Sequence, residues 1–186
     1  VRPCAHPFAA DASMSVPSPP VPLNNPCSVI SNNVLYEFQS NAFQSLPLKQ
    51  GAQWTQLPMG TSVTGAQCVL ASVNGQDTLF VVGGSSNSSD QTYPGLQRYS
   101  FADGTWQNCS PQMSVTQNRI MHGAVYLNAT SSILIYSGFQ DNSYSRSSQT
   151  FTIQTQSPFG VNAFPSNAPP VIRPLLMPWN QSHAVM

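Results

Sequence analysis

The chain has 186 residues, a formal net charge of +0 and only 6% charged side chains, a length that suffices for one domain with a sizeable core. Its single lysine, Lys49, and scattered arginines exclude the basic surface that displaces counterions from nucleic acid, and equally a basic patch for anionic membranes. No apolar run reaches the length of a membrane span.

Residues 1–28 are rich in Pro, Ala and Ser and show no periodicity. They predict an extended arm, partly polyproline II, running over the surface. His6 in that arm has no partner residues near it and reads as an ordinary surface side chain. Two short strands are expected next, VLYEF (34–38) and AQWTQL (52–57), carrying Tyr36 and Trp54.

The stretch from Gln67 to Trp106 is the most legible. Gln67–Val73 alternates, Asn74-Gly75 favours a two-residue hairpin turn, and Thr78–Val82 is a continuous apolar run. Gly83-Gly84 ends that run, allowing a close backbone approach. Leu96–Phe101 predicts a third strand with Tyr99 and Phe101 on one face. Asp103-Gly104 turns it into Thr105–Asn108, which carries Trp106.

This unit repeats. Gly123–Asn128 mirrors the start of the first copy, with Ala124 opposite Cys68, and LIYSGF mirrors LFVVGG, with Ser137-Gly138 in place of Gly83-Gly84. SQTFTIQ (148–154) fills the third-strand slot. A further copy starts at His183, in register with His122. A repeat of about 50 residues is the mark of a propeller or array; a β-sandwich, the competing architecture, shows short strands but needs no repeat.

An apolar strand, Gly83-Gly84, then Tyr99, then Trp106 after a tight turn resembles a kelch repeat. The resemblance covers residues 34–186 and implies an all-β, kelch-type β-propeller, present in part. It divides the chain into the 1–28 arm and a 29–186 propeller portion. Full units are expected at 66–109 and 121–159, with Phe159 standing in for the missing Trp. Partial units are expected at 34–57 and 183–186. The first and second strands of the 34–57 unit are not seen upstream, so the resemblance implies that strands beyond Met186 or from a second chain complete it. Residues 157–180 read as a long irregular insertion. The chain begins Val1-Arg2-Pro3, which suits a mature protein whose signal peptide has been removed.

Four N-x-[ST] sequons, at Asn87, Asn108, Asn128 and Asn180, point to a glycosylated secreted or cell-surface chain. Four cysteines without CxxC spacing, Cys4, Cys27, Cys68 and Cys109, suggest two disulfides in an oxidising compartment. Three pairings are possible. Cys4–Cys27 and Cys68–Cys109 is the favoured one, although the latter pair sits about 14 Å apart across a four-stranded sheet unless a loop folds back. A free buried thiol at Cys68 is the alternative.

Kelch propellers include binding modules and copper-radical oxidases of the galactose oxidase and glyoxal oxidase type. On that resemblance Cys68 falls at the oxidase cysteine, but Met121, two residues after Arg119, stands where the radical tyrosine is required. His122 and His183 sit at repeat-equivalent positions and suit copper chemically, yet histidines there also pack between units. No GxSxG, HExxH or Walker A motif is present, and Glu37 is the only glutamate, leaving no carboxylate pair. The expectation is a recognition scaffold for a protein or glycan ligand, without metal or cofactor. A copper oxidase and a structural wall or coat glycoprotein are the alternatives.

Overall fold

The computed structural model describes residues 17–86, 95–111, 119–140, 145–165, 167–178 and 183–185. The first sheet contains β1 (Cys27–Ser31), β2 (Val34–Gln39), β3 (Ala42–Pro47) and β4 (Thr55–Gln56). The second contains β5 (Gln67–Val73), β6 (Gln76–Val82), β7 (Leu96–Ser100) and β8 (Thr105–Asn108). In the third, β9 (Gly123–Leu127) and β10 (Ser132–Tyr136) lead to a two-stranded ribbon, β11 (Phe139–Gln140) and β12 (Ser145–Arg146). The chain then returns through β13 (Thr150–Gln154) and β14 (Val161–Phe164) to finish the sheet. A last pair, β15 (Met177–Pro178) and β16 (Ala184–Val185), lies beyond it. Every strand pairing among the described residues is antiparallel.

The fold is all-β, with four-stranded antiparallel units stacked as in part of a propeller. Alternation of side chains along each strand serves two interfaces at once. From the second sheet, Leu79, Val81 and Tyr99 meet Phe38 and Phe43 of the first. The intervening Phe80, Val82 and Leu96 meet Ile133, Ile135, Phe151 and Ile153 of the third. This is why Thr78–Val82 reads as a continuous apolar run. Aromatic edges fill the first interface: Phe43 lies 4.9 Å from Tyr99 and 5.1 Å from Trp106, both edge-to-face.

The structure corrects several boundaries. The first sheet is complete in itself: VLYEF is its second strand, and β1 precedes it across an Asn32-Asn33 turn with φ of 49° and 59°. The expectation that distant strands complete this unit is therefore withdrawn. β3 escapes an apolar-run reading because Gln44 and Ser45, both buried, interrupt it. The last strand of the third sheet is β14, reaching Phe164 rather than ending at Phe159. Phe159 instead sits in the turn before it with φ 54° and plugs the core. The 157–180 stretch thus contains strands at both ends.

Along its described part, residues 17–26, the arm runs over the surface of the first sheet and is held there. Side-chain clamps hold residues 17–25 against the first sheet: Trp54 Nε1 donates to Pro17 O at 2.8 Å, Gln44 Nε2 to Val21 O at 3.2 Å and Gln39 Nε2 to Pro22 O at 3.0 Å, while Gln39 Oε1 accepts from Asn24 N at 2.7 Å. The link into the second sheet is held the same way. Trp106 Nε1 donates to Pro58 O at 2.8 Å, while Gln97 takes the Thr61 N–H on Oε1 and gives Nε2 to Thr61 O, both at 2.8 Å. Residues 17–26 therefore follow the path of an inter-sheet connection. Gln44 completes only half of the clamp, and its Oε1 stays buried without a hydrogen-bond partner among the described residues.

Candidate functional site

Each sheet is entered through a residue in the left-handed region just before its first strand. These are Asn25 (φ 49°), Gly65 (φ 72°) and Met121 (φ 54°), each two residues ahead of its strand, and Arg173 (φ 55°) lies four residues ahead of β15. Backbone bonds link successive entries: Met121 N donates to Gly65 O at 3.0 Å, and Arg173 N to Met121 O at 2.8 Å. The four converge on one groove of about 260 Å³ that opens to solvent. Asn24, Asn25, Gln39 and Ser40 line it from the first sheet, Thr64 and Gly65 from the second link, and Ile120, Met121 and Arg173 from the later ones. Among the described residues the lining contains no carboxylate, and Arg173 is its sole cation. Arg173 Nη2 reaches Asn25 Oδ1 at 3.5 Å, bridging the first entry and the last. A second groove, between Asn74 and Gln107, also contains an arginine, but Arg98 there is held by Gln107 Oε1 at 3.0 and 2.7 Å beside Asp103.

Beneath the entries lies a buried polar layer. The Arg119 guanidinium donates to Ser137 O at 2.9 Å and Gln149 Oε1 at 2.7 Å and lies 5.1 Å over the Phe151 ring. Burial lowers its pKa to about 10. His122 is fully buried, neither ring nitrogen has a hydrogen-bond partner among the described residues, and burial, assisted by Arg119, lowers its pKa to about 3. The segment from Arg119 to His122 packs against Gly83 and Gly138 and explains both glycines. A Cβ at Gly83 would stand 2.6 Å from His122 Cε1, and one at Gly138 2.7 Å from His122 Cβ. The repeat-equivalent histidine is thus a packing element between sheets.

The cysteines pair differently from the favoured expectation. Cys27 is bonded to Cys68, joining β1 to β5, with Cα atoms 5.2 Å apart. Cys109 is a free, buried thiol whose pKa burial raises to about 11. Cys68–Cys109 fails because those residues lie on opposite faces and opposite edges of the second sheet, Cys68 toward the first sheet and Cys109 in the core shared with the third. Cys4–Cys27 fails because Cys27 is already taken; Cys4 lies outside the described residues. Asn108 and Asn128 are exposed, at the end of β8 and in a short 3-10 turn. Asn87 and Asn180 lie outside the described residues. Tyr99 and Trp106 are paired across β7 and β8 in the first interface.

A copper set of the oxidase type does not fit these residues. Cys68 Sγ is engaged by Cys27, Met121 has no phenol, and among the described residues no three His, Cys, Asp or Glu side chains come together. Sequence reasoning misses the entry residues other than Met121. Asn24-Asn25-Pro26, three residues of turn-forming type ahead of Cys27, is the available signal for the first of them.

No family model matches the chain, and no curated protein matches it. Its fold does match a solved structure titled "Structure of YjhT", with a TM-score of 0.62 at 16% identity over 82% of this chain. The match spans 54% of that structure, so the chain accounts for about half its length. The likeness is one of fold.

Proposed function

We infer that this chain is part of a secreted or cell-surface, glycosylated kelch-type propeller that recognises a protein or glycan through the groove at its axis. The observation that carries this reading is the groove itself. Asparagine amides and serine and threonine hydroxyls share that lining with one arginine and with apolar side chains such as Phe38, Val63 and Ile120, and no carboxylate opposes the arginine among the described residues. Such a lining suits polar recognition. The Cys27–Cys68 disulfide fits an oxidising compartment, and no helix among the described residues is long and apolar enough to cross a membrane. Further sheets, from the same polypeptide or another, complete the ring. They cover the exposed Leu175 and Met177, which are 71% and 52% accessible.

The test is a screen of the metal-free chain, expressed through a secretory pathway, against immobilised glycans and an extracellular protein library. A saturable hit that substitutions in the groove weaken supports the reading. Its absence, with intact folding, refutes it. Removal of N-glycans should lower the mass in steps at Asn87, Asn108, Asn128 and Asn180.

A further inference from the structure

We propose that the axial groove binds the carboxylate of an acidic saccharide, with Arg173 as its anchor and Asn25 and Met121 setting the fit around it. The inference rests on the recognition reading and names its ligand class. It starts from backbone conformation. A left-handed residue other than glycine is strained, and such residues gather where the surrounding structure and a function hold them. Gly65 shows what the repeat uses when only the turn is needed. There a Cβ would stand 3.0 Å from Ile120 Cβ, a tight approach that glycine avoids. At the other three entries the same region holds Asn25, a residue type that tolerates it, and Met121 and Arg173, which do not favour it, and all three line one groove.

The hydrogen-bond ladder makes this a prepared arrangement. Met121 N and Arg173 N each donate to the entry before, so their Cα positions are set by backbone and not by the ligand. The backbone that carries these side chains therefore loses little freedom on binding. Arg173 is exposed, and among the described residues its guanidinium meets Asn25 alone, at 3.5 Å, the outer limit of a hydrogen bond. That leaves most of its planar donor fork to meet a carboxylate in the two-point geometry a guanidinium favours. Asn24, Ser40 and Thr64 in the lining offer an amide and hydroxyls that match sugar hydroxyls, beside an apolar wall that includes Phe38, Val63, Ala66 and Ile120. An extended acidic peptide would instead use a free sheet edge or deep apolar anchors. The strands at this groove, β1, β5 and β9, pair along one edge only and are packed beside one another around the axis.

The experiment titrates the disulfide-intact chain calorimetrically with galacturonate and glucuronate oligosaccharides, their neutral counterparts, and an aspartate-rich peptide. The uronate ligands are expected to bind about tenfold or more tightly than the neutral ones, and to weaken with salt. Arg173→Gln should remove that preference, Arg173→Lys should restore part of it, and Asn25→Asp should weaken uronate binding by charge repulsion. Because Arg173 is exposed, the melting temperature of Arg173→Gln should match that of the parent. Equal affinity for neutral and acidic saccharides, or uronate binding indifferent to Arg173→Gln, overturns this inference while leaving glycan recognition standing. Tighter capture of the peptide overturns the saccharide assignment. A folded chain that binds none of the probes, and gives no hit in the wider screen, removes both readings.

Discussion

Glu37 is the chain's one glutamate, and it sits on β2 opposite Gln44, on the side the arm covers. It is 6% exposed, and its Oε2 has no hydrogen-bond partner among the described residues. Burial raises its pKa, with a hydrogen bond from Ser28 acting in the opposite direction. A carboxyl whose folded pKa is raised favours the fold while protonated and loses that contribution as pH climbs through the folded pKa. Glu37→Gln should therefore stabilise the chain at pH 7, by about 1 kcal/mol, and change nothing at pH values below the ordinary carboxyl range. Melting curves of the two proteins across that span check this. His122 works in the other direction. Its folded pKa, about 3, lies below the ordinary 6.5, so its contribution is full above 6.5 and drains away as pH falls toward 3. The melting temperature should fall through that window with about one proton taken up on unfolding. His122→Gln should flatten the slope.

Between residue and sheet stands the clamp. Gln97 is fully buried and holds both backbone groups of Thr61. Gln97→Leu should cost about 2–3 kcal/mol, because it strands a donor and an acceptor of Thr61 as well as losing two bonds. Gln44→Leu, which removes one bond and one orphan acceptor, should cost distinctly less. Denaturant titration of both variants ranks them. The same comparison explains what could be read in the sequence. β5 to β8 are legible because their turns are Asn74-Gly75 and Asp103-Gly104 and their strands carry hydrophobic side chains on schedule. β3 is not, since Gln44 is there to grip a connection rather than to fill a core. The Cys27–Cys68 bridge is equally hidden. It joins different sheets, and only the packing of β1 beside β5 brings the two sulfurs together. Closing a separation of 41 residues, the bridge should contribute about 2–4 kcal/mol. Peptide mapping without reductant should find it, and Cys27→Ser with Cys68→Ser should lose that stability. Of the groove, only Met121 stands out in the sequence, because a left-handed Arg173 has no local signature.

Across the whole molecule the two ends differ. Arm residues clamp onto the outer face of the first sheet, and Glu37, Gln39 and Gln44 beneath are buried. On the far side, Phe164, Ile172, Leu175 and Met177 are exposed. An apolar surface of that kind seeks cover. Alone in solution, the chain should associate with rising concentration, and Leu175→Gln with Met177→Gln should suppress this, as light scattering would record. The repeat is visible in the amino-acid order alone, since LFVVGG and LIYSGF stand one unit apart. The first sheet escapes that count because it lacks the double glycine: Ser40-Asn41 follows β2 where Gly83-Gly84 follows β6.

The ladder of sheet entries has a direction. Gly65 is grasped by Met121, and Met121 by Arg173, so each contact is made by newer chain to older. During synthesis a finished sheet need not wait for later ones, and each arrival docks on a surface already in place. Truncation after the second sheet should therefore leave the Cys27–Cys68 bridge able to form, which peptide mapping without reductant would show.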